Sequence, residues 1–259
     1  MTLVNRGPIH VNQTIKPLSY PLVLGLVGTV MGCGVARAGS PLAKDIGDTT
    51  VALHHLHSLM NHALRMSLQG ANLVILSELA KLRRSDIPPE QHVRVMQEQG
   101  KALLQRVSMD EEMKAIHARG ADAKLMRYTH ALGEAMQNIV ASLEKMHAPR
   151  PENLNIAFQH LRMDLNQALI MATEGANIIM VGRLGLTPKV DNASLEHGQA
   201  MLSEARKLWQ ANTESKAWRE LMRPRSCDEY AAMRVPMQEL VGAGKKVLDL
   251  EAEMYLHQQ

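Results

Sequence analysis

One stretch of this chain occurs twice. Residues 55–72, HLHSLMNHALRMSLQGAN, return without a gap at residues 160–177 as HLRMDLNQALIMATEGAN, at an offset of 105 residues. The same offset relates three further pairs, His92/His197, Met96/Met201 and Glu134/Glu239. A repeat of this length contains several secondary-structure elements, so the pattern predicts a tandem duplication of one structural unit.

Both copies have the pattern of helices. Apolar residues recur at helical spacing, and no segment shows the alternation that is typical of a strand. Aromatic residues make up 3% of the chain, whereas methionine occurs 18 times. Unbranched apolar side chains lose little rotamer freedom in a helix, so this composition favours packed helices. The predicted fold class is all-α, with the duplicated unit forming one or two helical bundles.

Prolines divide the chain. Pro149 and Pro151 follow a long helical pattern and cannot continue it, which makes them the best boundary between the copies. The predicted organisation is a signal peptide at 1–38, a first helical repeat unit at 39–147 and a second unit at 148–259.

The first 38 residues have the features of a secretory signal. They contain no Asp or Glu, carry Arg6 and Lys16 ahead of an apolar run at 21–36, and end in Ala36-Arg37-Ala38. A basic segment, an apolar segment and a small-x-small ending predict cleavage after Ala38. The mature protein is therefore expected in the periplasm or outside the cell.

Two alternatives to a cleaved signal stay open, an uncleaved N-terminal anchor and a lipidated Cys33. The apolar run is short and rich in glycine compared with the roughly 20 residues of a membrane span. We therefore expect no integral membrane span after cleavage.

The signal accounts for the basic charge of the chain. The chain has 29 Lys and Arg against 26 Asp and Glu, and Arg6, Lys16 and Arg37 all lie in the signal. The mature chain is balanced in charge, so a nucleic-acid partner is not expected. Loss of Cys33 would leave Cys227 alone, which excludes an intramolecular disulfide.

No catalytic signature is present in the sequence. It has no Cys-x-x-Cys-His for covalent haem, no His-Glu-x-x-His for zinc and no phosphate loop. We therefore predict no catalytic residues and do not favour an enzyme, and a redox enzyme that uses the histidines described next is the third choice.

Four histidines are shared by the copies, His55, His92, His160 and His197. Helical geometry predicts that His92 and His197 lie within apolar stripes and that His55 and His160 lie at the stripe edges. Neutral imidazole is a common ligand of transition metals and haem iron. The alternative is that these rings only form hydrogen bonds between helices.

A second candidate set is confined to the first copy. His62 and Met66 are four residues apart and share a helix face with His55, which suggests a surface copper or nickel site. In the second copy Gln167 replaces His62 and Arg162 replaces His57. The alternative is that these positions, including the tract 54–57, are solvated.

Two asparagines recur in each copy, Asn61/Asn72 and Asn166/Asn177. Asparagine is a mediocre helix former, so its matched positions predict hydrogen bonds to a neighbouring helix, a loop or a partner from the polar side of the helix.

The leading functional hypothesis is a secreted or periplasmic helical bundle that binds a metal ion or haem-type ligand through histidines. Candidate cofactors are copper, another transition metal or non-covalent haem, and the predicted ligands are His55, His92, His160, His197, His62 and Met66. The alternative is a structural or protein-interaction bundle without a cofactor, with a protein partner or as a homo-oligomer.

The signal hypothesis predicts a mature N-terminus at Gly39. Intact-mass measurement on protein from the periplasmic fraction of its host tests this cleavage. A retained N-terminus would instead indicate an anchor, and a lipidated start at Cys33 would indicate a lipoprotein.

Overall fold

A computed structural model of the chain describes residues 49–83, 90–108, 111–118, 122–146, 156–183, 192–224 and 231–256. The predicted signal at 1–38 and the predicted boundary at 147–151 lie outside these residues, so both stay predictions.

The described residues form helices and no strand, which confirms the all-α prediction. In chain order the helices are α1 (Thr49–Arg83), α2 (Glu90–Ser108), α3 (Glu111–Ala118), α4 (Ala123–Lys145), α5 (Ile156–Arg183), α6 (Asn192–Thr213), α7 (Lys216–Met222) and α8 (Ala231–Tyr255). None of these helices combines the length and apolar character that crossing a bilayer requires.

Local capping explains two of the helix starts. An Asp122 carboxylate oxygen accepts a hydrogen bond from the Leu125 backbone N–H at 2.7 Å at the start of α4. The Ser215 hydroxyl accepts one from the Trp218 N–H at 3.0 Å at the start of α7. Each cap satisfies a donor that would otherwise lack a partner in the first turn.

Four long helices pack in a ring. Helix α1 contacts α4 and α5, and α8 contacts the same two helices, while α2 lies along α1 and α6 along α5. One apolar core runs through the ring and includes Leu64, Met136, Leu169 and Leu240. The residues predicted to form two units therefore share a single core.

Glycines bring paired helices into close contact. A Cβ atom on Gly175 of α5 would lie 2.6 Å from the Gly198 carbonyl oxygen of α6. In the α1–α2 pair, a Cβ on Gly70 would lie 2.4 Å from Gln97 Cγ, and one on Gly100 would lie 2.8 Å from the Ala63 carbonyl oxygen.

The substitution Gly175→Ala is expected to destabilise the fold by about 1–3 kcal/mol, because its methyl group meets backbone atoms that cannot rotate away. Gly242→Ala is the matched control on α8, because no atom lies within 4 Å of a Cβ at that position. Alanine at this exposed helical site is expected to stabilise by about 0.5–1 kcal/mol. Chemical denaturation followed by circular dichroism measures both values, and equal effects would contradict the close approach.

Candidate functional site

The predicted metal ligands lie mostly at the surface. His62, His160 and His197 are exposed, His55 and Met66 are half-buried, and the side chain of His92 lies outside the described residues. The expected burial of His197 was wrong. Its neighbour Gly198 contacts α5, so the His197 side chain, about 100° further round the helix, faces solvent.

In the described part of the chain, no three His, Cys, Asp or Glu side chains lie close enough to hold a metal ion together. Partial desolvation, followed by the charge of Arg65, lowers the pKa of His62. The same positive charge would repel a metal cation at His62. Metal binding by the six predicted residues stays a prediction.

A different histidine lies at the centre of a buried polar cluster. His57 and Glu251 are both 0% exposed, and the His57 Nε2 atom lies 3.1 Å from Glu251 Oε1. The Tyr255 hydroxyl lies 3.0 Å from His57 Nδ1, and the two rings stack with centroids 5.6 Å apart. Helices α1 and α8 thus form a continuous hydrogen-bonded chain, Glu251–His57–Tyr255.

The interpretation of His57 as a solvated residue was wrong. The sequence did contain a signal for its burial, because His57 follows Leu53 by four residues and precedes Met60 by three. This spacing puts it on the apolar face of α1. Leu53 and Met60 are themselves buried.

Only one oxygen of the Glu251 carboxylate is hydrogen-bonded within this cluster. Glu251 Oε2 is buried and has no hydrogen-bond partner in the described part of the chain. Burial, followed by the Glu251 charge, raises the pKa of Tyr255 well above its usual value, although Arg183 acts in the opposite direction. Tyr255 therefore keeps its proton at neutral pH, and both ring nitrogens of His57 are engaged in hydrogen bonds.

The hydrogen-bonded series Glu251–His57–Tyr255 reaches a cavity of about 340 Å³, because Tyr255 forms part of the cavity wall. The cavity lies between the N-terminal ends of α1 and α4 and the C-terminal ends of α5 and α8. Its lining residues are Thr50, His54, Asp122, Lys124, Leu125, Tyr128, Met180, Arg183, Met254 and Tyr255. Lys124 and Asp122 are exposed, so the cavity reaches the protein surface.

Fixed polar contacts hold the wall in place. The Arg183 guanidinium donates to the backbone oxygens of Met254 at 3.3 Å and Tyr255 at 2.9 Å, and so caps the end of α8. The Lys124 ammonium lies 5.7 Å from the centre of the Tyr128 ring. A hydrogen bond to Glu253, together with desolvation, raises the pKa of Tyr128 to about 12.

The corresponding position in the second copy has different chemistry. Arg162, at the offset from His57, is also buried, and its Nη1 atom donates to the Met146 carbonyl oxygen at 3.4 Å. Its Nε and Nη2 atoms have no partner in the described ranges. Burial lowers the pKa of Arg162 to about 10. The expectation that Arg162, as the replacement of His57, is solvated was wrong.

The asparagines join α1 to α5. Asn61 Nδ2 donates to Asn177 Oδ1 at 3.0 Å, and Asn166 Nδ2 donates to Asn72 Oδ1 at 2.8 Å. The predicted hydrogen bonds to a neighbouring helix are confirmed. The predicted location on the polar side was wrong for Asn61 and Asn166, which are buried.

Comparison with known proteins leaves the site to be interpreted from its own chemistry. No protein-family model matches the chain, no curated protein matches it, and no solved structure matches it.

Replacing the buried cation, in Arg162→Met, is expected to stabilise the fold by roughly 1–4 kcal/mol, because the guanidinium is desolvated and its Nε and Nη2 atoms have no partner in the described ranges. Burial lowers the pKa of Arg162 to about 10 in the fold, below its value in the unfolded chain. The unfolded chain thus binds this proton more tightly, and wild-type stability should rise relative to the variant above about pH 10.

Urea denaturation at pH 7 and at higher pH measures this difference. The control is Arg206→Met, which removes an exposed cation 3.9 Å from Asp249 and should change stability by less than about 0.5 kcal/mol. A strong destabilisation by Arg162→Met would contradict the assignment of Arg162 as an uncompensated buried charge.

Proposed function

We propose that this protein is a duplicated helical bundle that binds a small molecule in the cavity beside Tyr255. The observation that carries the proposal is the buried Glu251–His57–Tyr255 chain, which connects two fully buried ionisable groups to the wall of an accessible cavity.

The size and lining of the cavity support a binding role. Ligand cavities in proteins measure about 300–1,000 Å³ and combine apolar walls with a few convergent polar groups. A cavity of about 340 Å³ is at the lower end of this range and suits a compact ligand. Leu125, Met180 and Met254 supply apolar surface, and His54 and Thr50 supply polar groups.

The energetics of the buried groups also support this role. Burying an ionised carboxylate costs several kcal/mol unless its oxygens are hydrogen-bonded. Only one Glu251 oxygen has a partner in the described ranges. Ionisable side chains in such unfavourable environments are concentrated at functional sites.

Crossed contacts support the duplication. Asn61 bonds to Asn177 and Asn166 bonds to Asn72, so each contact becomes the other when the two copies are exchanged. The packing of α1 on α4 likewise corresponds to that of α5 on α8. A two-fold axis that relates two equal units produces this pattern of exchanged contacts.

Ion pairs between α4 and α8 follow the same relation. Glu239 Oε2 lies 2.6 Å from Lys145 Nζ, and Oε2 of its counterpart Glu134 lies 3.7 Å from Lys246 Nζ. The offset of 105 residues places the counterpart of Lys145 at residue 250, and Lys246 lies four residues, about one helical turn, before it.

The cavity lining departs from this internal symmetry. At the 105-residue offset, His54 corresponds to Gln159, Tyr128 to Met233 and Arg183 to Glu78. Side chains that only filled space would not need to change charge between the copies. The difference therefore favours a specialised function for the end that contains the cavity.

The proposal keeps the binding function predicted from the sequence and transfers it from the shared histidines to the cavity. Binding of copper, another transition metal or haem by the predicted histidines stays a separate hypothesis. Periplasmic or secreted localisation likewise belongs to the proposal, and its support is the charge and ending of residues 1–38.

A thermal-shift screen tests the proposed function. The compounds should cover small organic anions, neutral molecules and cations, together with Cu²⁺, Ni²⁺, Zn²⁺ and haem. A ligand at 100 times its Kd stabilises by about 2.7 kcal/mol, which should raise the melting temperature by about 5–10 °C for a chain of this size.

Thr50→Trp at the exposed edge of the cavity should abolish the shift, because the indole ring occupies the ligand volume. Gln69→Trp, an exposed site further along α1, is the matched control and should preserve it. A screen with no stabilising compound would favour the structural or interaction bundle. A shift given only by metals or haem and kept in Thr50→Trp would favour the histidine hypothesis.

A further inference from the structure

We infer that the cavity binds a small organic anion, a carboxylate on a compact apolar body, and that His57 takes up a proton when the anion binds. This inference rests on the proposed binding function and specifies its ligand.

One cation on the cavity wall is placed to receive an anion. Lys124 and Arg183 are cationic and Asp122 is acidic among the described lining residues, and Glu253 of α8 already bonds to Tyr128 in the wall. The Asp122 carboxylate already accepts the hydrogen bond that caps α4, whereas Lys124 contacts only a ring face in the described ion-pair and cation–π contacts. A carboxylate in the cavity can therefore pair with the Lys124 ammonium.

Behind the wall, the Glu251 charge opposes the same anion. Glu251 is fully buried, so water screens its charge poorly. A proton on His57, which bonds directly to Glu251, would neutralise this charge and remove the repulsion.

The hydrogen bonds of His57 favour the same coupling. In the neutral ring, Nε2–H donates to the ionised Glu251, and Nδ1 must accept the Tyr255 proton. The Tyr255 oxygen then has only lone pairs left for a ligand. In the protonated ring, Nδ1–H donates to the Tyr255 oxygen, and the tyrosine proton no longer bonds to His57.

Other charged and titratable groups around His57 can adjust this equilibrium. His54 lies on the same helix with its ring 6.5 Å from that of Tyr255, and Arg183 of α5 caps the end of α8 beside Tyr255. Across the cavity, α4 contributes Lys124 and Asp122. The charges of these groups act on a carboxylate and not on its neutral amide, so the variants below, rather than the amide comparison, assign the proton to His57.

Calorimetric titration tests the inference. The whole chain is titrated with small carboxylates up to the size of benzoate and, separately, with the matching amides. Between pH 8 and pH 6, carboxylate affinity should rise by up to about tenfold per pH unit, the limit for uptake of one proton. The amides should bind at least tenfold more weakly at pH 6 and show no pH dependence. Buffers with different ionisation enthalpies should report uptake of about one proton per bound carboxylate.

Two variants assign the proton and the charge contact. His57→Gln should abolish proton uptake, and His130→Gln, an exposed histidine on α4, should preserve it. Lys124→Met should lower carboxylate affinity at least tenfold, whereas Lys207→Met on the surface of α6 should not. Should His57→Gln fail to fold, the buffer comparison on wild-type protein still tests whether a proton is taken up, and its absence would overturn the role of His57.

Each negative outcome has a distinct meaning. Equal binding of carboxylates and amides would overturn the anion assignment and leave the cavity as a binding site. Carboxylate binding without proton uptake, or uptake that persists in His57→Gln, would overturn the role of His57. Binding of neither class, combined with a screen in which no compound stabilises the protein, would overturn the proposed function as well.

Discussion

The antiparallel contact between α1 and α5 determines where every other helix can lie. Residue 61 meets residue 177 and residue 72 meets residue 166, so two amide pairs define one register. Slipping by one helical turn would leave both pairs unsatisfied in a buried seam, and each buried amide without a partner costs about 1–3 kcal/mol. With this register set, α4 and α8 complete the ring and α2 and α6 pack outside it.

The two ends of the α1–α5 seam contain different buried polar groups. At one end His57 is held between a carboxylate and a phenol. At the other end the Arg162 guanidinium donates to the Met146 carbonyl oxygen. The residues at these two positions, 105 apart in the sequence, therefore give the two ends of the seam different chemistry, and the end that contains His57 borders the cavity.

Much of this fold is predictable from local signals in the sequence. The helical class follows from apolar spacing along each segment, and a cap such as Ser215 acts on neighbours in the chain. The burial of individual histidines is less predictable. The rotation of α6 about its own axis is determined by the approach of Gly198 to Gly175, and this exposes His197. That contact joins residues far apart in the chain, and apolar periodicity alone does not show it. For the same reason, the pairing of His57 with Glu251 required the structure.

The cavity is made from parts of the chain that are far apart in sequence. His57 is 194 residues from Glu251 and 198 residues from Tyr255. Contacts of such sequence separation form late, because loop closure must be completed before they contribute stability. During synthesis, α1 is therefore complete long before its partners on α8 have been made. The cavity wall is complete only after α8 has been made and has packed against α5.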